Sequence, residues 1–246
     1  ANVKAYFQKV FRPDLTTIVV IGKVTPEQAE AAIGKYFGAW KATKPKPQVD
    51  LPAVPNNGPS VTHVPDPSRV QDEVLLGESL RLTRFNPDRF ALELGNHVLG
   101  GAFYATRLYH DLREENGLVY TVESFFEYGR NRSIYLAEYA CDPENVKKSR
   151  AILVHDLKRM RQEPVSVGEL HRAKALLLRK IPLSEASVRG IASGLLDRAD
   201  KGLPLDEPTR AAQHYVALNA KQVQEAFARW LRPGDLVQAS KGPQPE

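Results

Sequence analysis

Seven prolines fall between residues 45 and 67 (Pro45, Pro47, Pro52, Pro55, Pro59, Pro65 and Pro67), set among small and polar residues. Each lacks a backbone N–H and fixes its own φ, so a stretch this dense is expected to form neither a helix nor a strand ladder. It reads as a linker over 45–68 and divides the chain unevenly. The part before it, 1–44, is too short to bury a core of its own, whereas 69–246 is long enough for a sizeable domain.

Each part has its own pattern. Asn2–Val10 has the look of a final helical turn, and Thr16-Thr-Ile-Val-Val-Ile21 is a β-branched run of the buried-strand type, ending at Gly22. Thr25-Pro-Glu-Gln28 then opens a helix to about Trp40, with the Thr25 hydroxyl placed to accept from the N–H of Gln28 and the Gln28 side chain placed to reach back. Beyond the linker, strands are predicted at 70–80, 118–126 and 133–141, the last two joined by a turn at Tyr128–Asn131, with a short final strand at 235–240. Helices are predicted from Asn86 to Leu99 and from Tyr104 to Glu115, the latter ended by Asn116-Gly117. After Cys141 most of the chain is helical, with starts at Asp142-Pro143, Ser166-Val-Gly-Glu169, Glu207-Pro208 and Asn219-Ala-Lys-Gln222. This order predicts an α+β fold in which one antiparallel or mixed sheet is covered by helices on one face.

Composition removes several functions. No apolar run approaches the roughly 18 residues a membrane span needs. A single cysteine, Cys141, excludes an intrachain disulfide and a cysteine-rich zinc knuckle. The net charge of +5 is scattered among acids, without Arg/Lys interleaved with exposed aromatics, so no nucleic-acid partner is expected; a mild positive field suits an acidic peptide better.

The motifs of hydrolytic chemistry are also missing. Neither HExxH nor HxxEH occurs, and the i, i+4 pairs Glu93/His97 and His110/Glu114 each lack a second local ligand, so no metal is expected on this chain. There is no GxSxG elbow, Cys141 ends an apolar strand with no nearby histidine, and Gly100-Gly101 lacks phosphate-binding spacing.

What remains is Leu99-Gly-Gly-Ala-Phe-Tyr-Ala-Thr-Arg-Leu108, followed by Asp111-Leu-Arg-Glu-Glu-Asn-Gly-Leu-Val-Tyr120. This string resembles the LGGGxxSRL…LREExGLxYxV segment of the pitrilysin/insulinase family of zinc peptidases. The run from Tyr6 to Val24 and the helix ending Tyr36-Phe-Gly-Ala-Trp40 are similar to the family's passage from one domain of a half-molecule into the next. Ala102 stands where a third glycine is frequent, and Ala105-Thr106 replaces a small residue followed by Ser.

The resemblance implies one half of a clamshell peptidase. It makes 1–44 the end of a preceding domain and 69–246 the substrate-binding domain of a zinc metalloendopeptidase, with Zn2+ on an HxxEH-bearing partner half or subunit and no cofactor on this chain. Arg113 and Tyr120 match the family's Arg/Tyr pair that contacts the peptide, and Gly100, Gly101, Ala102 and Phe103 match the adjoining substrate-binding segment. Placed either side of a chain reversal, the guanidinium and phenol could donate to the scissile-region carbonyl and to the oxyanion formed from it. The ordinary alternative is that Arg113 pairs with Glu114 or Glu115 and Tyr120 is a half-buried strand aromatic. Within the family, the competing function is a non-catalytic structural or assembly subunit. Relatives are often exported, so the expected location is the bacterial periplasm, with the cytoplasm as the other possibility.

Overall fold

Period-two alternation builds the sheet. In β2 (Asp72–Leu80) Val74, Leu76 and Leu80 are fully buried while Leu75, Gly77 and Ser79 are half-buried, and in β4 (Ser133–Cys141) Tyr135, Ala137 and Tyr139 point inward. The two pair antiparallel from Asp72↔Cys141 to Leu80↔Ser133. Strand β3 (Val119–Tyr128) adds antiparallel to the far side of β4, and β5 (Val237–Gly242) adds antiparallel to β2. With β1 (Ser60–Pro65) parallel to β5, the order is β1-β5-β2-β4-β3, a mixed open sheet.

The structure, a computed structural model, describes residues 2–47, 51–102 and 104–245. Its helices are α1 (Asn2–Val10), α2 (Pro26–Phe37), α3 (Asp88–Leu99), α4 (Arg107–Tyr109), α5 (Val146–Gln162), α6 (Val167–Ser184), α7 (Val188–Lys201), α8 (Glu207–Ala217) and α9 (Ala220–Trp230). Leu92, Leu94 and Val98 of α3, Leu153, Leu157 and Met160 of α5, and Val223 and Phe227 of α9 join the inward side chains of the sheet in one core. Each fully buried leucine there contributes roughly 2 kcal/mol. The predicted α+β architecture is the one observed. Among the described residues, no helix is long and apolar enough to cross a membrane.

Two compact units result: Ala1–Leu51 with Lys180–Pro208, and Pro52–Arg179 with Thr209–Glu246. The second holds the sheet and its core. Residues 180–208, grouped by sequence with the large domain, therefore belong with the N-terminal segment. In the first unit, the predicted strand at Thr16–Ile21 is extended but joins no ladder, and Ile18, Val20 and Ile21 stay 44%, 49% and 36% exposed. A β-branched composition makes a strand possible, but only a neighbouring strand makes it one.

Local signals fared better. The capping boxes form at Thr25/Gln28 (3.0 and 3.3 Å), Ser166/Glu169 (2.7 and 3.3 Å) and Asn219/Gln222 (2.9 and 3.0 Å). Part of the predicted linker departs from expectation, because Ser60–Pro65 forms β1. It can do so as an edge strand, which pairs on one side only and tolerates the prolines at its ends. Gln48, Val49 and Asp50 of that stretch lie outside the described residues.

Candidate functional site

The segment from Thr106 to Ser124 is built by three local devices. Thr106 caps the start, its Oγ1 accepting from the N–H of Tyr109 at 3.3 Å, so the helix begins at Arg107 rather than at Tyr104. After α4 the coil widens into a π-helical turn, His110–Glu115, a form frequent at functional positions. The widening brings Glu115 rather than Glu114 beside His110, with Nε2 and Oε1 3.8 Å apart.

Gly117, at φ 61°, then reverses the chain: its N–H donates to Arg113 O at 3.0 Å and that of Leu118 to Leu112 O at 2.9 Å. Asn116 Nδ2 donates to Asp111 O at 2.8 Å and closes the turn. The third device is a β-bulge. Val119 opposes Cys141 but Val122 opposes Tyr139, so β3 carries an extra residue at Tyr120-Thr121, and both are exposed. Bulges re-aim side chains in this way.

Together these bring Arg113 and Tyr120 onto one surface. Arg113 Nη1 donates to Tyr120 O at 2.7 Å, and the guanidinium carbon lies 4.5 Å from the Tyr120 ring centroid and 5.1 Å from that of Tyr109. Such stacking contributes about 0.5–1 kcal/mol at an exposed site and fixes the plane of the guanidinium. Among the described residues Arg113 forms no ion pair with Glu114 or Glu115, and Tyr120 is 74% exposed with no partner for its hydroxyl. Among the described residues, the remaining guanidinium N–H groups and the phenol O–H have no acceptor.

The glycine segment does a different job. The N–H groups of Gly100 and Gly101 both donate to Asn96 O (2.9 and 2.7 Å), and Gly100 O accepts from Ser124 N at 3.1 Å. Asn96 Nδ2 donates to Ser124 O, and Ser124 Oγ donates to Asn96 Oδ1, each at 2.7 Å. A Cβ on Gly100 would sit 2.5 Å from Ser124 Oγ and 2.8 Å from Leu108 Cδ1, so a side chain there would have to displace those two side chains. The pair thus ties the end of α3 to the strand that carries Tyr120. Ala102 is half-buried, and Phe103 lies outside the described residues.

A polar cluster that sequence reasoning missed lies beneath the π-turn. Arg107 donates from Nε and Nη2 to the two carboxylate oxygens of Glu169, at 2.8 and 3.1 Å. Burial opposes the charge on Glu169, yet the Arg107 fork and the Ser166 N–H bring its carboxyl down to about 2. Asp156 of α5 is fully buried, and neither of its oxygens accepts a hydrogen bond; burial first, and contact with Asp111 second, push its carboxyl up to about 7. His110 Nδ1 lies 2.7 Å from Asp111 Oδ1, and that hydrogen bond raises the imidazole above its ordinary value. A signal for Asp156 was present: it shares the inward stripe of α5 with Leu153, Leu157 and Met160, where a lone acid stands out.

Two hollows flank the segment. One, of about 580 Å³, is lined by Tyr104, Thr106, His110, Asp111 and Glu115 among others. The second, of about 450 Å³, is lined by Arg69, Glu73, Thr121, Glu123 and Glu138. Glu123 and Glu138 face each other across β3 and β4, and their hydrogen bond, with burial, raises the Glu138 carboxyl. The wall beside Tyr120 is therefore acidic, against the expectation of an acidic peptide, because nearby carboxylates rather than net charge set the local field.

Among the described residues only one group comes near a metal-binding arrangement. HxxEH is absent, and the described groups that come nearest, the exposed His110 and Glu115 with the half-buried Asp111, offer one histidine already engaged by Asp111. These residues do not fit a catalytic zinc.

A probable inactive metalloprotease, YmfF, of Bacillus subtilis (strain 168) is 22% identical over 200 residues, covering 78% of this chain and 44% of that protein. The crystal structure of a peptidase M16 inactive domain from Pseudomonas fluorescens matches 90% of this chain and 52% of its own, at 25% identity and a TM-score of 0.78. The periplasmic protease PqqL of Escherichia coli shares the fold over 90% of this chain and 24% of its own, at 18% identity and a TM-score of 0.71. The chain thus spans about half or less of the length of these proteins. Its residues 1–177 match the family described as peptidase M16 inactive domain, and the chain belongs to that family.

Proposed function

We propose that this chain is the substrate-holding, non-zinc part of an M16-type metalloendopeptidase, closing on a partner half or subunit that bears HxxEH. The observation that carries the reading is the Arg113/Tyr120 pair: two side chains stacked at 4.5 Å, with unused donors, at the junction of a π-turn and a β-bulge. A peptide carbonyl brought to this surface could accept from the guanidinium and the phenol, and both bonds would strengthen as its oxygen gains negative charge. The stacked ring and the Tyr120 carbonyl hold the guanidinium before substrate arrives, so little is lost in ordering it.

Supporting roles follow from position. Gly100, Gly101 and Ala102 would shape the wall next to the pair by keeping α3 close to β3. Periplasmic location is proposed on the likeness to an exported protease fold. A non-catalytic assembly role is favoured by one observation, the inactive designation of the Bacillus relative.

A single experiment separates the two. The chain is combined with an HxxEH-bearing half, and cleavage of a fluorogenic peptide is compared for wild type, Arg113→Ala and Tyr120→Phe. On the order of 100-fold loss in kcat is expected for each variant. Wild-type rates in both, or no cleavage with any HxxEH-bearing half, would overturn the proposal.

A further inference from the structure

We propose that Asp156 is a positioning residue for Arg113: in its protonated form it packs against Asp111 where α5 meets the π-turn and holds the turn that aims the guanidinium, and losing that proton releases it. The proposal rests on the reading of Arg113 as a substrate contact and adds an acid-dependent control of it.

Asp156 is fully buried among Leu153, Leu157 and Met160, and no described residue donates a hydrogen bond to either oxygen. A bare carboxylate in such a place is costly, and a second carboxyl against it makes the doubly ionised state worse. With Asp111 against it, the buried Asp156 carboxyl keeps its proton to a higher pH than an isolated acid would.

The surrounding cations do not remove the problem. On α5 itself, Arg159 Nη1 lies 3.6 Å from Asp156 Oδ1 and 4.0 Å from Asp111 Oδ2, while its Nε faces Glu163 at 3.8 Å, so one guanidinium serves three acids. From α4, Arg107 gives Nε and Nη2 to Glu169 of α6, and although its charge favours the ionised Asp156, its buried Nη1 donates to neither Asp156 oxygen. From β4, the buried Tyr135 phenol senses the Asp156 charge, which helps to raise it above its ordinary range after burial itself. From the π-turn, His110 sits on Asp111 Oδ1, leaving Oδ2 toward α5. A carboxyl that ionises only near neutrality is the consequence of this packing.

The link to Arg113 is mechanical. Asp111 stands two positions before it in the turn, and its carbonyl takes the Asn116 Nδ2 bond that closes the reversal. Fully buried Leu112 anchors the residue between them. Repulsion between ionised Asp111 and Asp156 would push the start of the π-turn outward and strain the closure, and with it the 2.7 Å bond from Arg113 to Tyr120 O. A π-turn is suited to this, since it can relax to the narrower α form when its support is lost.

The test follows the Arg113 Nε–H resonance by NMR from about pH 5 to about pH 9 in the chain, as wild type, Asp156→Asn and His110→Asn. The Asn side chain keeps the shape of a protonated carboxyl, and circular dichroism checks that each variant is folded. An inflection near neutrality is expected in wild type, absent in Asp156→Asn and retained in His110→Asn. No inflection in wild type, its survival in Asp156→Asn, or its loss in His110→Asn alone would overturn the proposal. Because no peptide is present, these results stand apart from the cleavage assay, so a failure of either claim can be told from a failure of the other.

Discussion

Thr16–Val24 and β2 are similar strings with different outcomes. Both are rich in Val, Ile or Leu, yet β2 lies between β5 and β4 with Val74, Leu76 and Leu80 fully buried, while Ile18, Val20, Ile21 and Val24 of the other stretch are 36–49% exposed and unladdered. The lesson concerns where strand stability comes from. A residue fixed in the β region loses about 1–2 kcal/mol of backbone entropy, which cross-strand hydrogen bonds and a covered face must offset. β2 has both, and residues 16–24 have neither within the described chain.

That difference predicts mutational costs. Leu76→Ala should destabilise the sheet-bearing unit by about 4 kcal/mol in denaturant titration, from lost burial and the cavity left behind. Ile18→Ala should change stability by under about 0.5 kcal/mol. A comparable loss at Ile18 would show that the extended segment is covered in solution, and the contrast would collapse.

A second contrast lies inside the sheet-bearing unit, between two acids that flank the same π-turn. Glu169 is held ionised by Arg107 and brought down to about 2, whereas Asp156 accepts no hydrogen bond from any described residue and is pushed up to about 7 by burial. Their signs on stability are opposite. The folded state keeps a proton on Asp156 between the unfolded value near 4 and about 7, so stability falls as pH rises through that window and the penalty is complete above it. Asp156→Asn has no proton to lose, and its gain over wild type should grow from near zero at about pH 4 to a few kcal/mol, at most about 4, at about pH 8. For Glu169 the contribution is present above its unfolded value near 4.5 and is lost as pH falls toward about 2. Glu169→Gln should therefore destabilise by about 2 kcal/mol at neutral pH, and by much less at about pH 3. Thermal melts across pH read both, and a pH-independent gain for Asp156→Asn would remove the distinction.

How much of this was legible depends on range. Signals complete within a few residues were readable: the Thr25/Gln28, Ser166/Glu169 and Asn219/Gln222 capping boxes, the Gly117 reversal and the β3–β4 hairpin all form. The Arg113/Tyr120 pair was expected from the family resemblance, with the reversal making a shared surface possible, but the bulge at Tyr120-Thr121 was not, since it exists only relative to β4. The π-turn was hidden because α- and π-helical readings of His110–Glu115 differ in hydrogen-bond reach rather than in residue type. The Arg107–Glu169 fork joins groups far apart in sequence, and β1 forms because β5, at the other end of the chain, supplies its ladder.

Local and long-range support can be separated with the smallest effect, a single cap. Thr25 in the N-terminal unit and Asn219 in the sheet-bearing unit make the same reciprocal pair of hydrogen bonds at a helix start. At Asn219 the capped helix α9 carries Val223 and Phe227 into the core, so Asn219→Ala should lower the stability of the sheet-bearing unit by about 1 kcal/mol. Helix α2 buries none of its residues, and a cap contributes to global stability only if the helix it starts unfolds with the core. Thr25→Ala should therefore leave the denaturation midpoint of the sheet unmoved while lowering helical circular dichroism and speeding amide exchange in residues 26–37. Equal shifts in the midpoint for both variants would mean that α2 and the core unfold as one, and that the exposed segment beside α2 is as firmly held as β2.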